Sequence, residues 1–306
     1  MELAVIDIGS NTIIMTVYYS SKGKIREVYT KSEHTGLINY IENGALSDKG
    51  IRILSDTVAD LAAEAGRKKC FYVFPFATAS LRSASNSAEI IEKVGQETGY
   101  KIDLIDGEDE AAFSFSGLTR TMKGRLGKNG LMADMGGGST ETVAFEDSHP
   151  VDSASTGIGV LALYDRFVSG ILPSKGEIKG IRKFCYAEFK KLDGIKGRGD
   201  TVYMIGGTAR AIAKLHAAVS SRPFTLPYTL SKEELDGLLD RLVSKEDKGI
   251  KITAIEQIPA RIHTVCPGLC AISELLHASG ADRIMVTAAS VRDGYALYAA
   301  KLNNIG

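Results

Sequence analysis

Two stretches of this chain set an acidic residue ahead of a glycine turn and follow the turn with hydroxyls. They are Asp7-Ile8-Gly9-Ser10-Asn11-Thr12 and Asp134-Met135-Gly136-Gly137-Gly138-Ser139-Thr140-Glu141. Glycine lets the backbone take positive φ and approach a ligand closely. The turn's N–H groups then form a concave donor surface for anions, to which the hydroxyls of Ser10, Thr12, Ser139 and Thr140 can add. Taken singly, each stretch reads first as a hairpin turn. Two of them, each opened by Asp and set one lobe apart, read as a pair of phosphate-binding loops facing a cleft. A third turn, Gly206-Gly207-Thr208-Ala209-Arg210, stands directly ahead of a predicted helix. Free amides and the helix dipole attract anions there; close strand-to-helix packing is the competing reading.

The carboxylates beside the second loop work against an anion. Asp134 and Glu141 would repel phosphate unless a cation lies between, and Mg²⁺ prefers few carboxylates, several waters and substrate phosphate oxygens. A Mg²⁺ site with Mn²⁺ as a substitute is therefore expected at Asp134 and Glu141, with Asp7 contributing through water. Such a cation spreads the charge of a transferring phosphoryl group. The run Glu108-Asp109-Glu110 opens a predicted helix, where acids also suit the dipole. Neighbouring helix residues point about 100° apart, so at most one of Asp109 and Glu110 can face a shared cleft. Arg82 can clamp phosphate bidentately or serve as an ordinary solvated helix residue.

The elements that must hold these residues follow a repeated order. Leu3–Asp7 and Thr12–Tyr19 read as strands joined by the first turn, with a third strand over Ile25–Lys31. Ser47 caps a helix through Ala65, whose apolar positions Ile51, Leu54, Val58 and Leu61 recur with helical spacing. Further along come a strand over Cys70–Phe76, a helix ending near Gly99, a strand over Ile102–Ile105 and a helix from Glu108 to about Thr121. Lys123–Gly130 reads as a linker. The second half restarts with Leu131–Asp134, the glycine turn and Thr140–Phe145, an internal echo of the first. Helices are expected over Val160–Val168 and Ser174–Leu192, over Gly206–Ala218, from Ser231 to Val243, over Gly268–Ala278 and over Val291–Leu302. Ser174 with Glu177, and Ser231 with Glu234, form capping boxes. Strands are expected over Val202–Ile205 and Arg283–Val286. Alternating strands and helices with a hairpin at the head of each half predict a duplicated α/β lobe.

Composition narrows the partners. Lys plus Arg and Asp plus Glu are equal at 37 each, so no global field draws the chain to nucleic acid or membrane, and an anionic ligand must be held locally. No apolar run approaches the roughly 20 residues of a membrane helix. The start MELAVIDIGSNT lacks a basic region followed by an apolar stretch, so no secretory signal is expected. Four cysteines (70, 185, 266 and 270) read as reduced core or interface thiols of a cytoplasmic protein rather than a metal site with His263.

In combination these motifs resemble the exopolyphosphatase and guanosine-pentaphosphate phosphohydrolase (Ppx/GppA) family, within the actin, sugar-kinase and heat-shock ATPase superfamily. The resemblance runs through nearly the whole chain. It covers Asp7–Thr12, Ala77-Thr78-Ala79 with Arg82, Gly107–Ala111, Asp134–Glu141, Gly206–Arg210 and Arg292-Asp293-Gly294. It implies duplicated actin-like (ribonuclease H-like) lobes with a cleft between them. The first would span residues 1–124, with the terminal helix, about 291–306, packing back on it; the second would span 125–290. It implies that Glu110, the last acid before Ala111, activates the attacking water. It also implies that Asp134, Gly136, Ser139 and Glu141 organise metal and phosphate. Two segments depart from the family pattern. Ala260-Arg261-Ile262-His263 stands where Glu-Arg-Ala-Asp is usual, and Ser290-Val291-Arg292-Asp293-Gly294 stands where Gly-Leu-Arg-Glu-Gly is usual.

The expected activity is release of terminal phosphate from inorganic polyphosphate. The alternatives are removal of the terminal phosphate of guanosine pentaphosphate, or a non-catalytic regulator that binds (p)ppGpp or polyphosphate. A kinase would need an acceptor site and usually a larger insertion. The reading admits a homodimer.

Overall fold

In a computed structural model, residues 1–305 are described. The chain divides into two units. The first comprises Met1–Phe113 and the chain from Val291 on; the second is Ser114–Ser290. The division falls inside a helix, ahead of the Lys123–Gly130 segment read as a linker.

The first unit is built on β1 (Glu2–Ile8), β2 (Thr12–Ser21) and β3 (Lys24–His34). After a small hairpin of β4 (Ile41–Glu42) and β5 (Ala45–Leu46) come α1 (Asp48–Arg67), β6 (Tyr72–Ala77) and α2 (Ala79–Arg82). Then follow α3 (Ser87–Thr98), β7 (Asp103–Leu104) and α4 (Gly107–Thr121), in which the unit boundary lies. Chain-terminal α11 (Val291–Leu302) completes the unit. The sheet order is β3-β2-β1-β6-β7, antiparallel at β1–β2 and β2–β3 and parallel at β1–β6 and β6–β7. Strand β1 reads as a continuous apolar run because both its faces are covered. Ala4, Ile6 and Ile8 belong to the cluster containing Leu54, Val58 and Leu61 of α1. Leu3 and Val5 belong to that containing Tyr295, Ala296 and Ala299 of α11. The Ser47 side chain caps α1 by accepting from the Gly50 N–H. Gly294 is required in α11, since a Cβ there would lie 1.9 Å from the Phe113 carbonyl oxygen.

The second unit repeats the plan. Its elements are β8 (Asn129–Met135), β9 (Thr140–Glu146), β10 (His149–Thr156), α5 (Val160–Phe167), α6 (Lys175–Phe189), β11 (Thr201–Ile205) and α7 (Gly206–Val219). After them come β12 (Tyr228–Ser231), α8 (Lys232–Val243), α9 (Lys248–Gln257), α10 (Val265–Ser279) and β13 (Arg283–Val286). The order β10-β9-β8-β11-β13-β12 has the same antiparallel half (β10-β9-β8) and the same parallel half (β8-β11-β13) as the first sheet, with β12 added antiparallel at the edge. The two units are therefore duplicated α/β lobes built on one sheet plan. Both capping boxes are formed, Ser174 with Glu177 and Ser231 with Glu234. Helix α10 starts at Val265 rather than Gly268, with Pro267 in its first turn, where a missing N–H costs nothing. Three of the four cysteines are buried and all four are free thiols. Among the described residues no helix is long and apolar enough to cross a membrane.

Candidate active site

The echo seen in sequence is an echo in hydrogen bonding. In the first hairpin Ile8 pairs with Ile13, and in the second Met135 pairs with Thr140. The Gly9 N–H donates to the Thr12 carbonyl (3.2 Å), and the Gly136 N–H donates to the Ser139 carbonyl (2.9 Å). Downstream backbone then consumes the loop carbonyls in both units. Ser10 O accepts from Ile38 N–H, and Asn11 O accepts from Thr35 and Gly36. In the second unit Val160 N–H donates to Gly136 O, and Leu161 and Ala162 donate to Gly137 O. An anion-binding turn needs its amides free of its own carbonyls, and in both loops these carbonyls are engaged by downstream backbone instead. Gly159 makes the second arrangement sterically feasible, because a Cβ there would lie 2.2 Å from the Gly137 oxygen.

The two hairpins differ at the position opposite the Asp. Asp134 stands across the ladder from Glu141, whereas Asp7 stands across from Ile14. Directly opposed residues of an antiparallel pair share a face, so the second unit holds two carboxylates together and the first does not. Asp134 Oδ2 accepts from the Ser114 hydroxyl (3.1 Å), and buried Glu141 accepts from Ser155 through Oε1 (2.8 Å). Among the described residues no group of three or more His, Cys, Asp or Glu is placed to hold a metal ion by itself. Two carboxylates still suit a cation that keeps most of its shell as water and phosphate oxygen, so the donor set fits Mg²⁺ or Mn²⁺.

Asp7, expected beside the metal, is engaged elsewhere: Arg292 Nη1 donates to its Oδ2 at 2.9 Å. Burial pushes the Asp7 carboxyl above its ordinary range, and the Arg292 charge and hydrogen bond oppose that rise. Next in sequence, Asp293 accepts from the Tyr18 hydroxyl (3.2 Å). Arg-Asp-Gly at the head of α11 therefore fixes the end of β1. The Arg292 and Asp7 side chains are 13% and 14% exposed, and breaking such a largely buried pair from one side costs up to about 3–5 kcal/mol. Arg292→Met is expected to lose stability of that order in urea unfolding, and Asp7→Asn in the same chain should recover part of it. A single variant within about 1 kcal/mol of wild type would show that the pair does not anchor the unit.

Of the three acids at the head of α4, Glu108 and Asp109 are exposed and Glu110 is 7% exposed. Arg82 Nη1 donates both to Glu110 Oε2 (3.1 Å) and to the Ile105 carbonyl (2.9 Å). The arginine read as a phosphate clamp is thus held against the carboxylate read as the base. Asp106, which sequence reasoning passed over, caps the helix by accepting from the Asp109 N–H (2.8 Å). Thr140 is fully buried and gives its hydroxyl to the Ile158 carbonyl. It therefore supports the loop from behind and does not present that hydroxyl to phosphate. Thr12 Oγ1 shares a hydrogen bond with His34 Nδ1 (3.0 Å), and Ser139 is 7% exposed.

The third turn gains a partner that the sequence did not reveal. Gly206 takes φ +89°, and a Cβ on it would lie 2.5 Å from Asp134 Oδ1, so α7 starts against the carboxylate of the second loop. A Cβ on Gly207 would lie 2.4 Å from Arg261 Nη2, and Arg261 Nη1 is 3.5 Å from Thr208 Oγ1. Burial lowers the Arg261 pKa, and no carboxylate offsets it. A desolvated guanidinium over a helix N-terminus is a strong cue for an anion. A profile of the Ppx/GppA phosphatase family matches residues 16–302. The chain belongs to the Ppx/GppA phosphatase family. Exopolyphosphatase 1 of Mycobacterium tuberculosis is 26% identical over 226 residues, covering 72% of this chain and 65% of that protein. A guanosine-5'-triphosphate,3'-diphosphate pyrophosphatase of Vibrio cholerae is 32% identical over 171 residues, covering 53% of this chain and 33% of that protein. The chain thus spans less than two thirds of the length of these relatives. The crystal structure of the Aquifex aeolicus family member superposes with a TM-score of 0.81 at 24% identity, over 99% of each chain, which carries the fold.

Proposed function

We propose that this Ppx/GppA family member is an exopolyphosphatase, a divalent-cation-dependent hydrolase releasing terminal phosphate from inorganic polyphosphate. The observation that carries the reading is the repeated hairpin with its carbonyls consumed from behind, joined in the second unit to the Asp134–Glu141 pair. In the first unit Gly9, Ser10, Asn11 and Thr12 would hold phosphate oxygens, Glu110 would take the proton of the attacking water, and Arg82 would hold Glu110 until phosphate competes for the guanidinium. In the second, the turn of Gly136, Gly137, Gly138 and Ser139 and the start of α7 at Gly206, Gly207 and Thr208 would hold phosphate, with Arg261 adding the positive charge. Asp134 and Glu141 would hold Mg²⁺ or Mn²⁺. When bound, that cation offsets phosphate charge and stabilises the transferring group. The relatives named for polyphosphate and for guanosine substrates make removal of the terminal phosphate of guanosine pentaphosphate the second reading.

The test is phosphate release from polyphosphate and from guanosine pentaphosphate, side by side, in EDTA and after adding back Mg²⁺ or Mn²⁺. Expected is faster release from polyphosphate, abolished by EDTA and restored by either metal. Release confined to the guanosine substrate would favour the second reading. Undiminished release in EDTA would remove the assignment of Asp134 and Glu141 to a cation.

A further inference from the structure

We infer that the outer face of α6 is a second binding track for the substrate, gripping the linear phosphate chain away from its reacting end; this rests on the polyphosphate reading above. Lys175, Lys179, Arg182, Lys183, Tyr186 and Lys190 follow helical spacing along one stripe. Lys175 to Lys190 span about 22 Å, with about 6 Å between the first three lysines. A shallow groove of about 380 Å³ runs beside the row from Lys175 to Tyr186, closed on the α10 side by Glu274 and His277, and Lys190 lies beyond its end. Its wall is firm. Arg182 is paired with Asp236 and with Glu274 (3.1 Å), and the rings of Tyr186 and His277 stack at 4.5 Å. The carboxylates of the wall are thus spent on Arg182 and His277. Nearby Glu177 is spent on the helix cap, and Glu188 on Lys191. Among the described residues, Lys175, Lys179, Lys183 and Lys190 have no carboxylate partner, in a chain whose formal net charge is zero.

The shape of this charge selects the ligand. A compact anion would satisfy one or two lysines, whereas a chain of repeating phosphates can meet the whole row. The row is one helix wide and bordered by acids already engaged in ion pairs or in the helix cap, which suits a single flexible strand better than a duplex with two phosphate rows or a flat anionic membrane. Local uncompensated lysines facing a polyanion release its counterions on contact, which gives affinity that falls steeply with salt.

The direct test replaces Lys175, Lys179, Lys183 and Lys190 together with Gln, which keeps helix propensity. Binding and turnover are then compared for long-chain polyphosphate and for tripolyphosphate. Expected at low salt is a rise of about tenfold or more in both Kd and KM for the long chain, with a shallower salt dependence. KM and kcat for tripolyphosphate should be unchanged. Equal long-chain affinity in the variant and wild type would overturn the track. So would equal losses on both substrates, or wild-type binding of duplex DNA or anionic vesicles as tight as that of polyphosphate. If the wild type binds the long chain through these lysines yet releases no phosphate, the hydrolase reading fails and the track stands. If both proteins release phosphate from the long chain with the same KM, the track fails and the hydrolase reading stands.

Discussion

Glu110→Gln is expected to lower turnover of polyphosphate by about a hundredfold or more while leaving substrate binding intact or tighter. Water attacking phosphorus must shed a proton, and neither glycine loop carries a histidine or cysteine within its own sequence. The second unit's two loop carboxylates suit a cation, where their charge offsets the metal's. In the first unit the acids at the head of α4 remain, and the fold separates them. Glu108 and Asp109 are exposed, while Glu110 is buried and directed by Arg82. The Asp109 carboxyl is pushed up, by desolvation first and then by Asp106 and Asp103. A raised pKa alone does not make a base of a group turned to solvent. Gln keeps the shape of Glu110 and can still accept from Arg82 through its amide oxygen, so the fold should hold. The removed negative charge frees the guanidinium for phosphate, which is why binding should not weaken. The measurement is kcat and Kd on the purified variant, with Asp109→Asn beside it and a thermal melt to confirm folding. Normal kcat in Glu110→Gln with loss in Asp109→Asn would show that Asp109, not Glu110, takes the proton.

Much of this arrangement is legible in the sequence because it is local. A glycine turn between two apolar strands, repeated a half-chain later, announces the two hairpins, and both capping boxes follow from residues three apart. What escaped depends on distant partners or on faces without an apolar signature. Arg261 gains its meaning only from Gly207 and Thr208, and Asp7 from Arg292, 285 positions away. Strand β10 is mostly exposed and polar, so no alternation marks it. Helix α9 turns Ile252 and Ile255 outward, which erases the amphipathic period. Thr140 belongs by type among the phosphate-binding hydroxyls, yet its geometry commits it to Ile158. Nothing in residue type distinguishes the two uses.

Gly206→Ala is expected to raise the Mg²⁺ concentration needed for half-maximal activity by about tenfold or more, with a stability loss of only about 1–3 kcal/mol. Two costs coincide at this position. The backbone sits at φ +89°, where an L side chain is strained, and the new methyl would come 2.5 Å from Asp134 Oδ1. One of them must move. Asp134 is tethered by the Ser114 hydroxyl on its other oxygen and lies opposite Glu141 in the ladder. The methyl would therefore rotate the carboxylate out of register with Glu141, and the loss falls on the cation. Gly207→Ala, one residue on, provides the contrast. Its methyl would meet the end of the Arg261 side chain, and a long guanidinium can swing aside at little cost to the fold. That variant should raise KM for polyphosphate several-fold and leave the metal requirement unchanged, because a charge-assisted phosphate contact is lost while the carboxylate pair is not. Titrating Mg²⁺ and polyphosphate against each variant separates the two effects. If both variants shift the same constant, α7 begins a single rigid site rather than dividing cation from anion. If neither shifts any constant, the Gly206–Thr208 turn serves only strand-to-helix packing, and phosphate in the second unit must be held by Gly136–Ser139 alone.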